Sequence, residues 1–317
     1  MMRTKLRYML LLTLAVSAAL WLAACGTGGN STGTAAEGTA SPGASAAISP
    51  PAEGAKIASM SIHVTNNLLA LGLKPAGSVI GGDVKDFLPH VADRLEGTTK
   101  LGVISDPDLE AVLALKPDVI YTDSSLGGDT IPQLEKIAPT YSIDMDEGTW
   151  RDHLNRLAEY VGKQDEAKAF IDEYEAKAKE VGELIKSKLG QDAKVMAIRS
   201  TPKELRVMGM KRPVGPLLYQ DLGLKPADGV EKIADEPYAV ISQEMLPDFN
   251  ADAIFVIIST GTAAKGNFEE LQKSAIWKNL TAVQNNHVYL VNGPAWLDYS
   301  AIGQRMALDD AAQLFSK

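Results

Sequence analysis

Few side chains in this sequence are of a type and spacing that could do chemistry. The four histidines, His63, His90, His153 and His287, stand apart, with no two at the i, i+2 or i+4 spacing that sets a pair of imidazoles on one metal ion. The only cysteine is Cys25, so no internal disulfide can form. No nucleophile elbow, phosphate-binding loop, GxGxxG or HExxH run occurs, and nothing in the sequence supports catalysis. What remains is the chemistry of non-covalent contact. Arg199 directly follows an apolar run at 195–198, and Trp296 and Tyr299 follow another at 288–291. Lys85 comes after the run 79–81, Lys100 precedes Leu101-Gly102, and Arg206, Lys211 and Arg212 lie on a hairpin-like stretch. An arginine fork matches clustered oxygens, whereas a lysine is a mobile point charge for which a solvated position is an equally good reading. Tyr299 could equally pack beneath the last helix.

Those runs belong to an alternation of strands and helices. Strands are expected at 57–62, 79–81, 119–121 and 140–143, with helices at 66–71, 109–115 and 131–137. A second series follows: strands at 194–198, 240–242, 253–258 and 288–291, and helices at 217–222, from about Gln243, at 274–280 and at 300–315. Strands separated by helices and short links make a parallel α/β sheet, whose ligands sit beyond the carboxyl ends of the strands. Between the two series, Ala167, Phe170, Ile171, Tyr174, Ala178, Val181, Leu184 and Ile185 share one face of a helix predicted over 165–188 and stopped by Gly190. A shorter helix with Trp150, Leu154, Leu157 and Val161 on one face precedes it and breaks at Gly162.

The two series repeat each other. Gly72-Leu73-Lys74-Pro75-Ala76 recurs as Gly223-Leu224-Lys225-Pro226-Ala227. Glu110 precedes Asp118 by eight residues, and Glu244 precedes Asp252 by the same eight, each pair with a helix between and an apolar strand after. The expected fold is therefore α/β: two Rossmann-like α/β lobes, 55–145 and 191–317, joined by a helical linker at 146–190 with a single long α-helix.

The chain has 317 residues, 45% of them hydrophobic and 22% charged, which are ordinary globular values. Arg3, Lys5 and Arg7 precede an uncharged run ending in Leu22-Ala23-Ala24-Cys25-Gly26. This is the pattern of a lipoprotein signal peptide over 1–24, with Cys25 as the lipidated residue. Residues 25–54 are mostly Gly, Ser, Thr, Ala and Pro and read as a flexible tether. Losing residues 1–24 removes three basic residues and no acidic ones, which takes the formal charge from -9 to -12. Such a chain does not suit nucleic acid, and its attachment to a membrane would rest on the lipid.

Ile57-Ala58-Ser59-Met60-Ser61 with Leu69-Ala70-Leu71-Gly72-Leu73, then Leu109-Glu110 to Lys116-Pro117-Asp118-Val119-Ile120, resembles the first lobe of the metal-chelate-type substrate-binding proteins of ABC importers. Ile276-Trp277-Lys278-Asn279-Leu280-Thr281-Ala282-Val283 to Val288-Tyr289-Leu290-Val291 is similar to that family's second lobe. The resemblance covers nearly all of 56–317. It implies a class III periplasmic-binding-protein-like fold and a monomer on the outer face of the cell membrane. Within the family the chain looks most like the ferric-siderophore receptors of Gram-positive bacteria. That likeness implies an iron(III)-siderophore complex as ligand, with no intrinsic cofactor or bare metal, delivered to ABC permease subunits served by a cytoplasmic ATPase. A corrinoid or haem ligand is the nearer alternative, and a secreted enzyme on the same frame the more distant one. In that likeness Arg199 matches the arginine that reaches the siderophore, and Trp296 and Tyr299 fall where the family places an aromatic contact; by their position in the chain Lys85, Lys100 and Arg212 are further candidate contacts. Glu110 and Glu244 match the acidic residues that dock on the permease.

Overall fold

The computed structural model describes residues 50–316 apart from Asp83 and residues 127–129. The predicted signal peptide, Cys25 and the tether as far as residue 49 lie outside them.

The first apolar series forms β1 (Ile57–Ser59), β2 (Gly77–Ile80), β3 (Thr99–Val103), β4 (Asp106–Pro107), β5 (Val119–Asp123) and β6 (Thr140–Ile143), in the order β4-β3-β2-β1-β5-β6. All neighbours are parallel except β4 on β3. The second series forms β7 (Lys194–Ser200), β8 (Leu205–Met208), β9 (Lys225–Pro226), β10 (Tyr238–Ile241), β11 (Ala253–Ile258) and β12 (Val288–Leu290), in the order β10-β8-β7-β11-β12 with β9 beside β7. Here β8 runs antiparallel to both β7 and β10, so β10 points the same way as β7. The central strands β5 and β11 are almost wholly buried, which is why β11 is a continuous apolar run and β5 opens with one, Val119-Ile120-Tyr121, rather than alternating.

The sequence repeat is a repeat of hydrogen bonds. Asp118 accepts from the Lys56 amide (2.7 Å) and its own amide donates to the Lys56 carbonyl (2.9 Å). Asp252 does the same with Lys194, at 2.8 Å both ways. Each aspartate thus ties the start of a central strand to the start of its parallel neighbour. Gly72 and Gly223 both have positive φ, of 74° and 61°, and the Ala76 and Ala227 amides donate to the Ile57 and Val195 carbonyls, each at 2.8 Å.

Helices cover the sheets: α1 (Ile62–Ala70), α2 (Leu109–Leu115), α3 (Thr130–Glu135), α4 (Trp150–Val161) and α5 (Gln164–Leu189). Then come α6 (Thr262–Lys273), α7 (Ala275–Lys278), α8 (Thr281–Gln284), α9 (Gly293–Trp296) and α10 (Ala301–Phe315). The long helix α5 has 26 residues, about 39 Å at 1.5 Å per residue. Helix α4 starts in a reciprocal cap between Thr149 and Asp152 and stops at Gly162, whose φ is 69°.

The structure departs from the sequence expectation in several places: β3, β4, β8 and β9 were not expected, and the strand expected at 57–62 ends at Ser59. Helix α1 begins one turn early, at Ile62, which puts His63 on it. The helix expected at 217–222 is a π-helix, Pro216–Asp221, and the helix expected from Gln243 is a 3-10 helix, Gln243–Phe249, that contains Pro247. Helix α6 was not expected, because only Ala264, Phe268 and Leu271 are buried on it and the rest is polar.

One apolar cluster runs through both sheets by way of the helices. Val64 and Leu68 of α1, Trp150 of α4, Tyr174 and Ile185 of α5, Phe255 of β11 and Leu308 of α10 all belong to it. Trp150 meets Tyr174 edge-on at 4.8 Å, and the Tyr174 hydroxyl donates to Asp221 at 2.8 Å. Arg151 pairs with Glu175 and Asp221, both at 2.9 Å, and so ties α4 to α5 and to the second lobe. A Cβ on Gly182 would stand 2.4 Å from the Leu222 carbonyl oxygen, so only glycine lets α5 approach that lobe so closely. Among the described residues no helix is long and apolar enough to cross a membrane.

Candidate functional site

Two cavities adjoin where the carboxyl ends of both sheets meet. The first, about 250 Å³, receives His63 from α1, Val84 and Leu88 from the segment after β2, Arg199 from β7 and Ser259 after β11. Leu297 and Asp298, between α9 and α10, close it. The second, about 320 Å³, is more polar and includes Asp123, Asp146, Lys211, Arg212 and Tyr299. His63 and Leu297 line both, so the two form one continuous cleft.

Arg199 is next to last in β7, in register with Ile257 of β11, and its side chain is partly exposed in the cleft. Its Nε donates to Ser259 Oγ at 2.9 Å, so the guanidinium is oriented rather than loose. An oriented guanidinium has less entropy to lose on meeting an oxygen-rich ligand.

The floor of the first cavity is a polar knot across the lobes. Asp298 is buried, with 1% of its side chain exposed. Its carboxylate accepts from Asn66 Nδ2 (2.7 Å), His90 Nε2 (2.9 Å), Ser300 Oγ (3.0 Å) and His63 Nδ1 (3.3 Å). Burial by itself pushes this carboxyl up, but the hydrogen bonds donated by His63 and His90 outweigh it and hold the group well below the usual carboxylate range. A Cβ on Gly303 would come 2.2 Å from the Asp298 carbonyl, so the first turn of α10 needs glycine to seat this residue. His153 is a different case, since burial lowers its affinity for a second proton and its Nε2 is satisfied by the Glu147 carbonyl at 2.7 Å.

The structure brings together only some of the residues expected at the site. Arg199, Arg212 and Tyr299 line the cleft. Arg212 is paired with Asp146 and lies 5.8 Å from the centre of the Tyr299 ring. Tyr299 is only 7% exposed, and burial pushes its hydroxyl up. Trp296 is not a cleft wall, because it is fully buried, stacked 5.4 Å from Phe255, and its Nε1 donates to Asp310 Oδ2 at 2.8 Å. Lys100 lines neither cavity and is paired with Asp86 at 2.9 Å. Lys85 also lines neither and sits exposed on a turn in the left-handed region, φ 51°. Glu110, in the first turn of α2, and Glu244, after β10, are both exposed at the cleft-side ends of their sheets.

Asp298 and Ser259 escaped the sequence reading, and His63 was read there as an isolated histidine. The available signal was an acidic residue between the last strand and Ser300, the cap of α10. Its partners His63, Asn66 and His90 lie over 200 residues away. Among the described residues no group of three or more His, Cys, Asp or Glu could hold a metal ion.

Comparison with known proteins agrees with this geometry. Residues 57–295 match the family model described as "Periplasmic binding protein". The "Probable siderophore-binding lipoprotein YfiY" of Bacillus subtilis is 31% identical over 278 residues, 84% of this chain and 84% of that one. The crystal structure of Staphylococcus aureus SirA complexed with staphyloferrin B superposes with a TM-score of 0.73 at 26% identity, covering 84% of this chain and 95% of the other. FhuD2 of the same organism, with bound ferrioxamine B, gives 0.71 at 26% identity, covering 82% and 98%.

Proposed function

This chain belongs to the periplasmic binding protein family, and we propose that it captures a ferric siderophore in the cleft between its lobes and delivers it to the permease of an ABC importer. The family is one of substrate-binding proteins rather than enzymes. The observation that carries the reading is the cleft itself: apolar walls with an oriented arginine, at the carboxyl ends of the parallel central strands of two sheets. Apolar walls suit the organic backbone of a siderophore, and a guanidinium suits the oxygens crowded around its iron. Relatives and neighbours named for siderophores support the same ligand class.

The test is a panel. Ferrioxamine B, ferri-bacillibactin, ferric staphyloferrin B, haem and cobalamin are titrated while intrinsic tryptophan fluorescence is followed. Saturable quenching by a ferric siderophore is expected, and binding of haem or cobalamin alone would replace this reading. Arg199→Ala is expected to weaken the preferred siderophore about tenfold or more, since a charge-assisted contact contributes roughly 1.5–3 kcal/mol. Calorimetry giving the wild-type affinity for that variant would remove Arg199 from the site.

The lobes share one core through α4, α5 and α10, so closure is small. X-ray scattering with and without the bound siderophore is expected to give nearly the same radius of gyration, and a large compaction would contradict it. On the membrane, the protein is held at Cys25, as the lipoprotein signal-peptide pattern suggests. Cys25→Ala is expected to be released into the medium, and its retention in the membrane fraction would overturn the anchor.

A further inference from the structure

We infer that His63 is a ligand contact in the cleft, an imidazole positioned by Asp298 that takes up a proton when an iron-bound oxygen of the chelate arrives. This rests on the reading that the cleft takes a ferric siderophore. Asp298 accepts the proton side of His63 Nδ1, which turns the other ring nitrogen, Nε2, away from the carboxylate; Nε2 has no partner among the described residues. The ring lines both cavities and its side chain is 38% exposed, so it is open to a ligand. It also shares the first cavity with Arg199, which is presented by the other lobe.

The charges explain why a proton must move. Asp298 is an ionised carboxylate beneath a site for anionic or oxygen-rich ligands. Its oxygens reach such a ligand only through His63, because the carboxylate itself is buried. A neutral His63 would offer the ligand a lone pair facing a lone pair. A protonated one offers Nε2–H, with the positive charge held between two oxygen acceptors. The second ring on the same carboxylate, His90, is poorly suited to this task. Its side chain is 2% exposed, and its Nδ1 is buried without a partner among the described residues, so a second proton there would be an unpaired buried donor.

Other charged groups around His63 are largely engaged. In the polar cavity Arg212 is paired with Asp146, while Asp123 accepts from the Ser125 amide and Lys211 is exposed. His153, from α4, is buried and disfavours the charged form, and Arg199 is held by Ser259. Tyr299 stays protonated, because burial pushes its hydroxyl up. The balance of the step is one proton from water, placed on Nε2 as the complex forms and returned when it dissociates.

The experiment is calorimetric titration of the whole mature chain with ferrioxamine B, ferri-bacillibactin and ferric staphyloferrin B. It is run at pH 6 and pH 8, in two buffers of different ionisation enthalpy. For the chelate that binds, wild-type affinity is expected to be about fivefold higher at pH 6, with net proton uptake near pH 7, as a neutral contact becomes a charged one. His63→Gln, its fold to be verified by circular dichroism, is expected to bind at least about fivefold more weakly than wild type at pH 6 and to show neither the pH dependence nor the uptake. A wild type without proton uptake overturns the inference, and so does a variant that keeps the wild-type pH dependence. These outcomes leave the siderophore reading standing. Failure of all three chelates to bind overturns that reading, and the inference with it.

Discussion

Trp296→Ala is expected to lose about 3–5 kcal/mol of folding stability, the range for removing a large aromatic side chain from a packed core. The side chain is completely buried against Phe255, which also packs on Tyr289 and Phe315 at 5.6 and 6.2 Å. Truncation leaves a cavity where the last strand, β11 and α10 meet. It also strips Asp310 of a hydrogen bond, although the Asn292 amide still donates to the same oxygen at 2.8 Å. Trp296→Phe keeps most of the ring contact and loses the donor, so its cost is expected to fall nearer 1–3 kcal/mol. Denaturant unfolding of the three proteins measures this. A loss under about 1 kcal/mol in the alanine variant, together with weakened siderophore binding, would return Trp296 to the cleft wall.

Uptake of the iron complex is expected to vanish in the double variant Glu110→Ala with Glu244→Ala, while siderophore affinity stays at the wild-type value. Both glutamates are exposed, and neither lines a cleft cavity. They stand at corresponding points of the two lobes, eight residues before Asp118 and Asp252, whose strand-tying hydrogen bonds are the same. Hydrogen bonds from the Ser242 hydroxyl, its own backbone amide and Gln243 hold the Glu244 carboxyl below its ordinary range, so it is ionised at neutral pH. Two matched negative points on one edge suit a two-subunit or pseudo-symmetric partner carrying arginines. Neither side chain is in the core, so the fold should be untouched. The check pairs iron uptake in cells with calorimetry on the purified variant. Normal uptake would remove these residues from docking, and lost affinity would show that they act on the cleft instead.

The sequence determined the parts that depend on local pattern. Apolar runs of strand length, the 3.6-residue stripe from Ala167 to Ile185 and the αL glycines at 72 and 223 placed most of the strands, the long helix and the repeat, because periodicity and backbone sterics act over neighbouring residues. Arg199 was legible for the same reason, since a strand end in a parallel sheet is a position defined by the strand itself. Tertiary structure decided everything that depends on which side of an element faces its neighbours. Trp296, on a short helix after β12, turns into the core because Phe255 and Asp310 are there to receive it. Lys100 turns away to Asp86. His63 and Asp298, 235 residues apart, meet only because α1 and α10 pack together at the junction of the lobes, and no spacing rule reaches across that distance.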